Sequence, residues 1–94
     1  MLDDLFTDDT LLGTALDDQI NGFGGNDQLY GGSGNDDLFG EAGDDHLFGE
    51  GGDDFMIATP GEDRLEGGDG RDTMMAGEDA DILIGGEGDD FYHV

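Results

Sequence analysis

The chain has 94 residues, 26 of them acidic against two basic, for a formal charge of −24. That length allows one domain, and the charge disfavours nucleic acid and anionic membranes while favouring multivalent cations. Twenty glycines, one proline, 34% hydrophobic residues and no cysteine leave little for an ordinary core and exclude disulfides and thiolate metal sites.

In chain order, the opening MLDDLFTDD is acidic and lacks the basic and apolar regions of a secretory signal peptide. From Asp4 the chain divides into ten units of nine: DLFTDDTLL, GTALDDQIN, GFGGNDQLY, GGSGNDDLF, GEAGDDHLF, GEGGDDFMI, ATPGEDRLE, GGDGRDTMM, AGEDADILI and GGEGDDFYH. They cover residues 4 to 93 without insertion, so residues 1–94 read as a single repeat domain. The sixth position is always aspartate: Asp9, Asp18, Asp27, Asp36, Asp45, Asp54, Asp63, Asp72, Asp81 and Asp90. The eighth is Leu11, Ile20, Leu29, Leu38, Leu47, Met56, Leu65, Met74, Leu83 and Tyr92. Glycine fills position 4 except at Thr7, Leu16 and Asp79, and position 1 except at Asp4, Ala58 and Ala76. No run approaches the roughly 18 apolar residues of a membrane span.

The last three residues of each unit predict a short strand whose central side chain points inward and whose flanking ones point outward. The first six must turn the chain, with glycine at positions 1 and 4 supplying backbone conformations costly for other residues. Two strands and two turns close a coil of 18 residues. The expected fold is all-β: about five coils stacked as two short parallel sheets, with strands roughly 4.8 Å apart. One turn column then carries Asp9, Asp27, Asp45, Asp63 and Asp81; the other carries Asp18, Asp36, Asp54, Asp72 and Asp90. Carboxylates stacked on carboxylates repel, and ten inward side chains are few for ordering so long a backbone. A cation between turns answers both problems. Calcium suits an all-oxygen site of carboxylates and carbonyls better than magnesium, zinc or copper.

The repeat resembles G-G-x-G-x-D-x-U-x, the nonapeptide of the RTX (repeats-in-toxin) family, over 90 of the 94 residues. The resemblance implies a right-handed parallel β-roll, a β-solenoid with one calcium ion between turn n and turn n+2. Turn n would give its aspartate and the carbonyls of positions 2 and 4; turn n+2 would give its aspartate and the carbonyls of positions 1 and 3. The candidate metal residues are the ten aspartates with Gly25, Gly32, Gly34, Gly40, Gly43, Gly49, Gly51, Gly52, Gly61, Gly67, Gly70 and Gly85. Four gaps per column set a ceiling of eight ions, and roughly five to eight are expected. The best-supplied gaps are Asp27/Asp45, Asp45/Asp63, Asp36/Asp54, Asp54/Asp72 and Asp72/Asp90. The Asp9/Asp27 gap lacks glycine in its first turn, Asp18/Asp36 meets Leu16, and Asp63/Asp81 meets Ala76 and Asp79, the last a candidate extra ligand. The family also implies a secreted protein, exported unfolded by type I secretion from Gram-negative bacteria and folded by extracellular calcium.

Other readings are weaker. The position 5 acids Asp8, Asp17, Asp44, Asp53, Glu62 and Asp89 read as solvated, and Arg71 as offsetting charge beside Asp72. An EF-hand from Asp17 would need glutamate where Gln28 stands. His46 and His93 fall at outward positions, and no nucleophile set or phosphate loop appears, so an enzyme is not expected. Alternatives on the same fold are a polysaccharide-binding or adhesin module and an engineered minimal repeat. Phe39, Ile57 and Met75 should stack outward on the even face, flanked by Phe55 and Phe91, as a surface for self-association or contact with a parent protein. Tyr30 and Phe48 should stack on the odd face, interrupted by His46, Arg64 and Glu66.

Overall fold

The computed structural model describes residues 8–58, 60–77, 79 and 81–93. The opening of the first unit, with Asp4 and Thr7, lies outside the described residues. Each unit contributes one three-residue strand from its positions 7 to 9. These are β1 Thr10–Leu12, β2 Gln19–Asn21, β3 Gln28–Tyr30, β4 Asp37–Phe39, β5 His46–Phe48, β6 Phe55–Ile57, β7 Arg64–Glu66, β8 Thr73–Met75, β9 Ile82–Ile84 and β10 Phe91–His93.

Odd strands form one five-stranded sheet in the order β1-β3-β5-β7-β9, and even strands another in the order β10-β8-β6-β4-β2. Every pairing is parallel and joins residues 18 apart, as in Leu29 with Leu47 and Leu38 with Met56. The chain is therefore the expected parallel β-solenoid. The register is set by geometry: alternate units point the same way, and only a shift of 18 places apolar on apolar and aspartate on aspartate. Backbone bonds extend the ladder past the strand ends. The N–H of Gln28 reaches the carbonyl of Asp9, and that of Gly31 reaches Phe48, both at 2.8 Å.

The core is one side chain deep. Leu29, Leu38, Leu47, Met56, Leu65 and Met74 are fully buried between the sheets, joined by Ala58 and Ala76 from position 1. Leu11, Ile20 and Leu83 pack against this cluster but are only partly buried. Tyr92 departs from the expected inward set. It pairs in register with Met74, yet remains 55% exposed on the edge strand β10.

The turns also correct the expectation about glycine. Left-handed backbone occurs at positions 2 and 4, as at Gly32 (φ 85°) and Gly43 (φ 107°), and not at position 1. Position 2 keeps this conformation even where the residue is Phe23, Glu41 or Glu50, with φ of 65°, 65° and 71°. Such residues carry a steric cost that glycine avoids. Position 1 needs glycine for a different reason, given below.

Candidate metal centre

Position 6 immediately precedes each strand, so the ladder fixes its aspartate at the same height in every coil. The eight neighbouring pairs of the two columns all make one contact: the backbone N–H of the earlier aspartate donates to Oδ1 of the aspartate 18 residues on. The Asp27 N–H reaches Asp45 at 2.9 Å, Asp45 reaches Asp63 at 2.8 Å, and Asp36 reaches Asp54 at 2.9 Å. The same bond runs from Asp9 to Asp27, Asp18 to Asp36, Asp54 to Asp72, Asp63 to Asp81 and Asp72 to Asp90.

That bond occupies only one carboxylate oxygen. Oδ2 of Asp27, Asp36, Asp45, Asp54, Asp63, Asp72 and Asp81 is buried with no hydrogen-bond partner. Buried polar atoms are normally satisfied, and an unpaired buried carboxylate oxygen is costly. Position 1 glycine makes the space around Oδ2. A Cβ at Gly22, Gly31 or Gly40 would fall 2.7 Å from Oδ2 of Asp27, Asp36 or Asp45, closer than real Cβ contacts come. In the units of Asp63 and Asp81 a buried methyl group, that of Ala58 or Ala76, stands at this position instead.

Backbone oxygens complete the donor set. Among the described residues, the backbone bonds outside the strands use the carbonyls of positions 6 and 9, with Glu87 the one exception. The turn carbonyls of positions 1 to 4 stack instead. A Cβ at Gly43, Gly52, Gly61 or Gly70 would overlap the carbonyl of the residue 18 earlier. No three acidic or histidine side chains converge on one point among the described residues. Each gap thus offers two aspartates, with main-chain oxygens as the remaining donors. Such a set suits a hard cation with six to eight oxygen ligands and not zinc.

These features make glycine substitution position-specific. Gly43→Ala places a methyl against the Gly25 carbonyl at a left-handed position, whereas Gly51 has nothing within 4 Å and ordinary φ. Gly43→Ala is expected to lower thermal stability by more than about 2 kcal/mol and Gly51→Ala by less than about 0.5 kcal/mol. Melts in saturating calcium check the contrast.

Burial raises the aspartate pKa values, against the lowering effect of the N–H bond, and the neighbouring carboxylates of the column raise them further. Asp45 is pushed to about 7, Asp54 to about 8, and Asp63 and Asp72 to about 6, from 3.8. Asp27 and Asp36 also move up. Between about pH 4 and pH 8 the metal-free folded chain holds protons that the unfolded chain has released. Its stability is therefore highest at the acid end and falls as pH rises through that window. Protons and cation compete for the same oxygens. Acidification from about pH 8 to about pH 5 should increase β structure in metal-free buffer and raise the calcium midpoint. Circular dichroism titrations at the two pH values read both effects, and a pH-independent midpoint contradicts the competition.

A second ladder runs outside the first and was not legible as such. The side chain at position 5 accepts the N–H of the residue 18 later: Asp8 from Asn26, Asn26 from Asp44, Asp44 from Glu62, all at 2.7–2.9 Å. Asp17, Asn35 and Asp53 do the same in the other column, ending at the N–H of Arg71. Position 5 is exposed, as expected, but it ties coils together. The signal was an unbroken run of Asp or Asn there through the first six units. Thr14 was also missed. Its N–H and hydroxyl meet Asp18 Oδ2 at 2.6 and 3.0 Å, so this aspartate already has partners. Asp79 accepts the Gly61 N–H at 3.0 Å through Oδ2. On the odd face His46 and Arg64 both meet Glu66 Oε2, at 2.7 and 3.0 Å, and Tyr30 stacks on Phe48 at 4.5 Å.

Compared with protein-family models, residues 6–38, 30–65 and 57–92 match the one described as RTX calcium-binding nonapeptide repeat. A comparison with curated proteins found no match.

Proposed function

Because the chain belongs to the RTX calcium-binding nonapeptide repeat family, we propose that it is a structural module whose folding is completed by calcium ions held between turns 18 residues apart. The observation that carries this reading is the file of buried, unpartnered Oδ2 atoms along both aspartate columns. Each gap would hold an ion through two aspartates and the turn carbonyls above and below. Asp45, Asp54, Asp63 and Asp72 would each face two gaps. A bound ion supplies positive charge where stacked carboxylates otherwise repel. The protein's part is to fix the oxygens: Oδ1 is held by the N–H ladder, and position 1 glycine leaves Oδ2 open. Gly25, Gly34, Gly43, Gly52, Gly61 and Gly70 stack their carbonyls along the columns.

The module acts as a scaffold and not as an enzyme, within a secreted bacterial protein exported by a type I system. Extracellular calcium would drive the chain from its exported, unfolded form to the solenoid. Calcium counting by equilibrium dialysis tests the site model. Between roughly five and eight ions per chain are expected, from the gaps of the two columns. Two or fewer would overturn it.

A further inference from the structure

Beyond the ion columns, a half-open cleft of about 360 Å³ lies beside the outer face of the even sheet, lined by Phe39, Glu41, Ala42, Ile57 and Pro60. Phe39 and Ile57 are register partners on β4 and β6. None of the five lining residues is a position 6 aspartate.

Two observations set the chemistry of its occupant. Glu41 lines an otherwise apolar cleft and makes no ion pair or side-chain hydrogen bond among the described residues. It also sits at φ 65°, in a place that Gly32, Gly68, Gly77 and Gly86 fill in other units. A carboxylate is thus kept, at a backbone cost, on the edge of an apolar surface. The chain contains no lysine, and its two arginines, Arg64 and Arg71, do not line the cleft. With a formal charge of −24, the molecule repels anionic ligands and a second copy of itself.

We propose that the cleft receives a lysine side chain from a basic, amphipathic segment of another protein. The methylene stem would lie against Phe39, Ile57 and Pro60, and the ammonium would meet Glu41. Leucine or similar residues flanking the lysine would extend along the outer row towards Met75, the register partner of Ile57.

The probe is a capped peptide of alternating leucine and lysine, titrated calorimetrically into the calcium-loaded chain; a control peptide carries glutamine for lysine. Glu41→Gly is the sharpest variant, because glycine suits that backbone and the fold should persist. It is expected to weaken binding about two- to fivefold. Phe39→Ser should weaken it about tenfold, and Tyr30→Ser on the opposite face should leave it unchanged. Circular dichroism checks each variant's fold. Equal affinity of wild type and Glu41→Gly, or of the lysine and glutamine peptides, overturns the proposal. So does a calcium-dependent dimer that the peptide disperses, which would assign the cleft to a second copy.

Discussion

Chelation of calcium is expected to abolish most of the strand signal in circular dichroism, and its return to restore all coils in one cooperative transition. The driving imbalance is visible in the burial. Six aspartates, Asp27, Asp36, Asp45, Asp54, Asp63 and Asp72, are 0–3% exposed, against a core whose largest buried members are four leucines and two methionines. Burying charged oxygens without partners opposes folding, and a core one layer deep offsets little of it. An ion changes the sign because its oxygen cage exists only when turns are stacked, so binding and folding become one process. The midpoint is expected at about 10⁻⁴–10⁻³ M, the range of extracellular calcium modules. Calcium titration followed in the far ultraviolet measures it. An unchanged β spectrum in excess EGTA would refute calcium-driven folding.

The second large effect separates the interior of a column from its end. Asp54 donates its N–H to Asp72, accepts the N–H of Asp36, and faces two gaps. Asp54→Ala leaves the Asp36 N–H without its acceptor, a loss of about 1–3 kcal/mol, and strips a ligand from both gaps. Stacks of this kind are governed by nearest neighbours, so a central lesion divides the array. Its calcium midpoint should rise about tenfold or more. Asp9 meets one gap, and the N–H it gives to Asp27 survives substitution. Asp9→Ala should shift the midpoint less than about twofold. Asp54→Asn adds a control, since an amide oxygen can still accept the Asp36 N–H but carries no charge. If Asp54→Asn kept wild-type calcium affinity, the ladder bond and not ion ligation would account for the aspartate.

The fold was legible because a single strict period carried it. Position 8 marked the core and position 6 marked the columns, and a nine-residue unit with a three-residue strand has few ways to stack. What stayed hidden depends on neighbours that sequence does not display. Asn26 and Asn35 read as ordinary turn residues, and only the adjacent coil reveals that their side chains accept its N–H groups. Glycine at position 1 looked like a dihedral requirement, but the reason is room beside an aspartate five residues on. Glu41 and Glu50 looked like plain surface acids until their left-handed backbone appeared. Tyr92 satisfied the inward pattern, yet an edge strand has a neighbour on one side only, and the ring stays half in water.

The 18-residue register makes coil number the only length this architecture can change smoothly. Excising residues 40–57 would bring Met75 beside Phe39 and shorten each sheet by one strand, with both columns still in phase. Excising residues 40–48 alone would also keep the nine-residue rhythm, but every later strand would pass to the opposite sheet. Ile57 would then stand beside Tyr30, and the outer faces would be reshuffled while core and columns read as before. Recombination in half-coil steps can therefore exchange one surface for the other without rewriting a single interior residue.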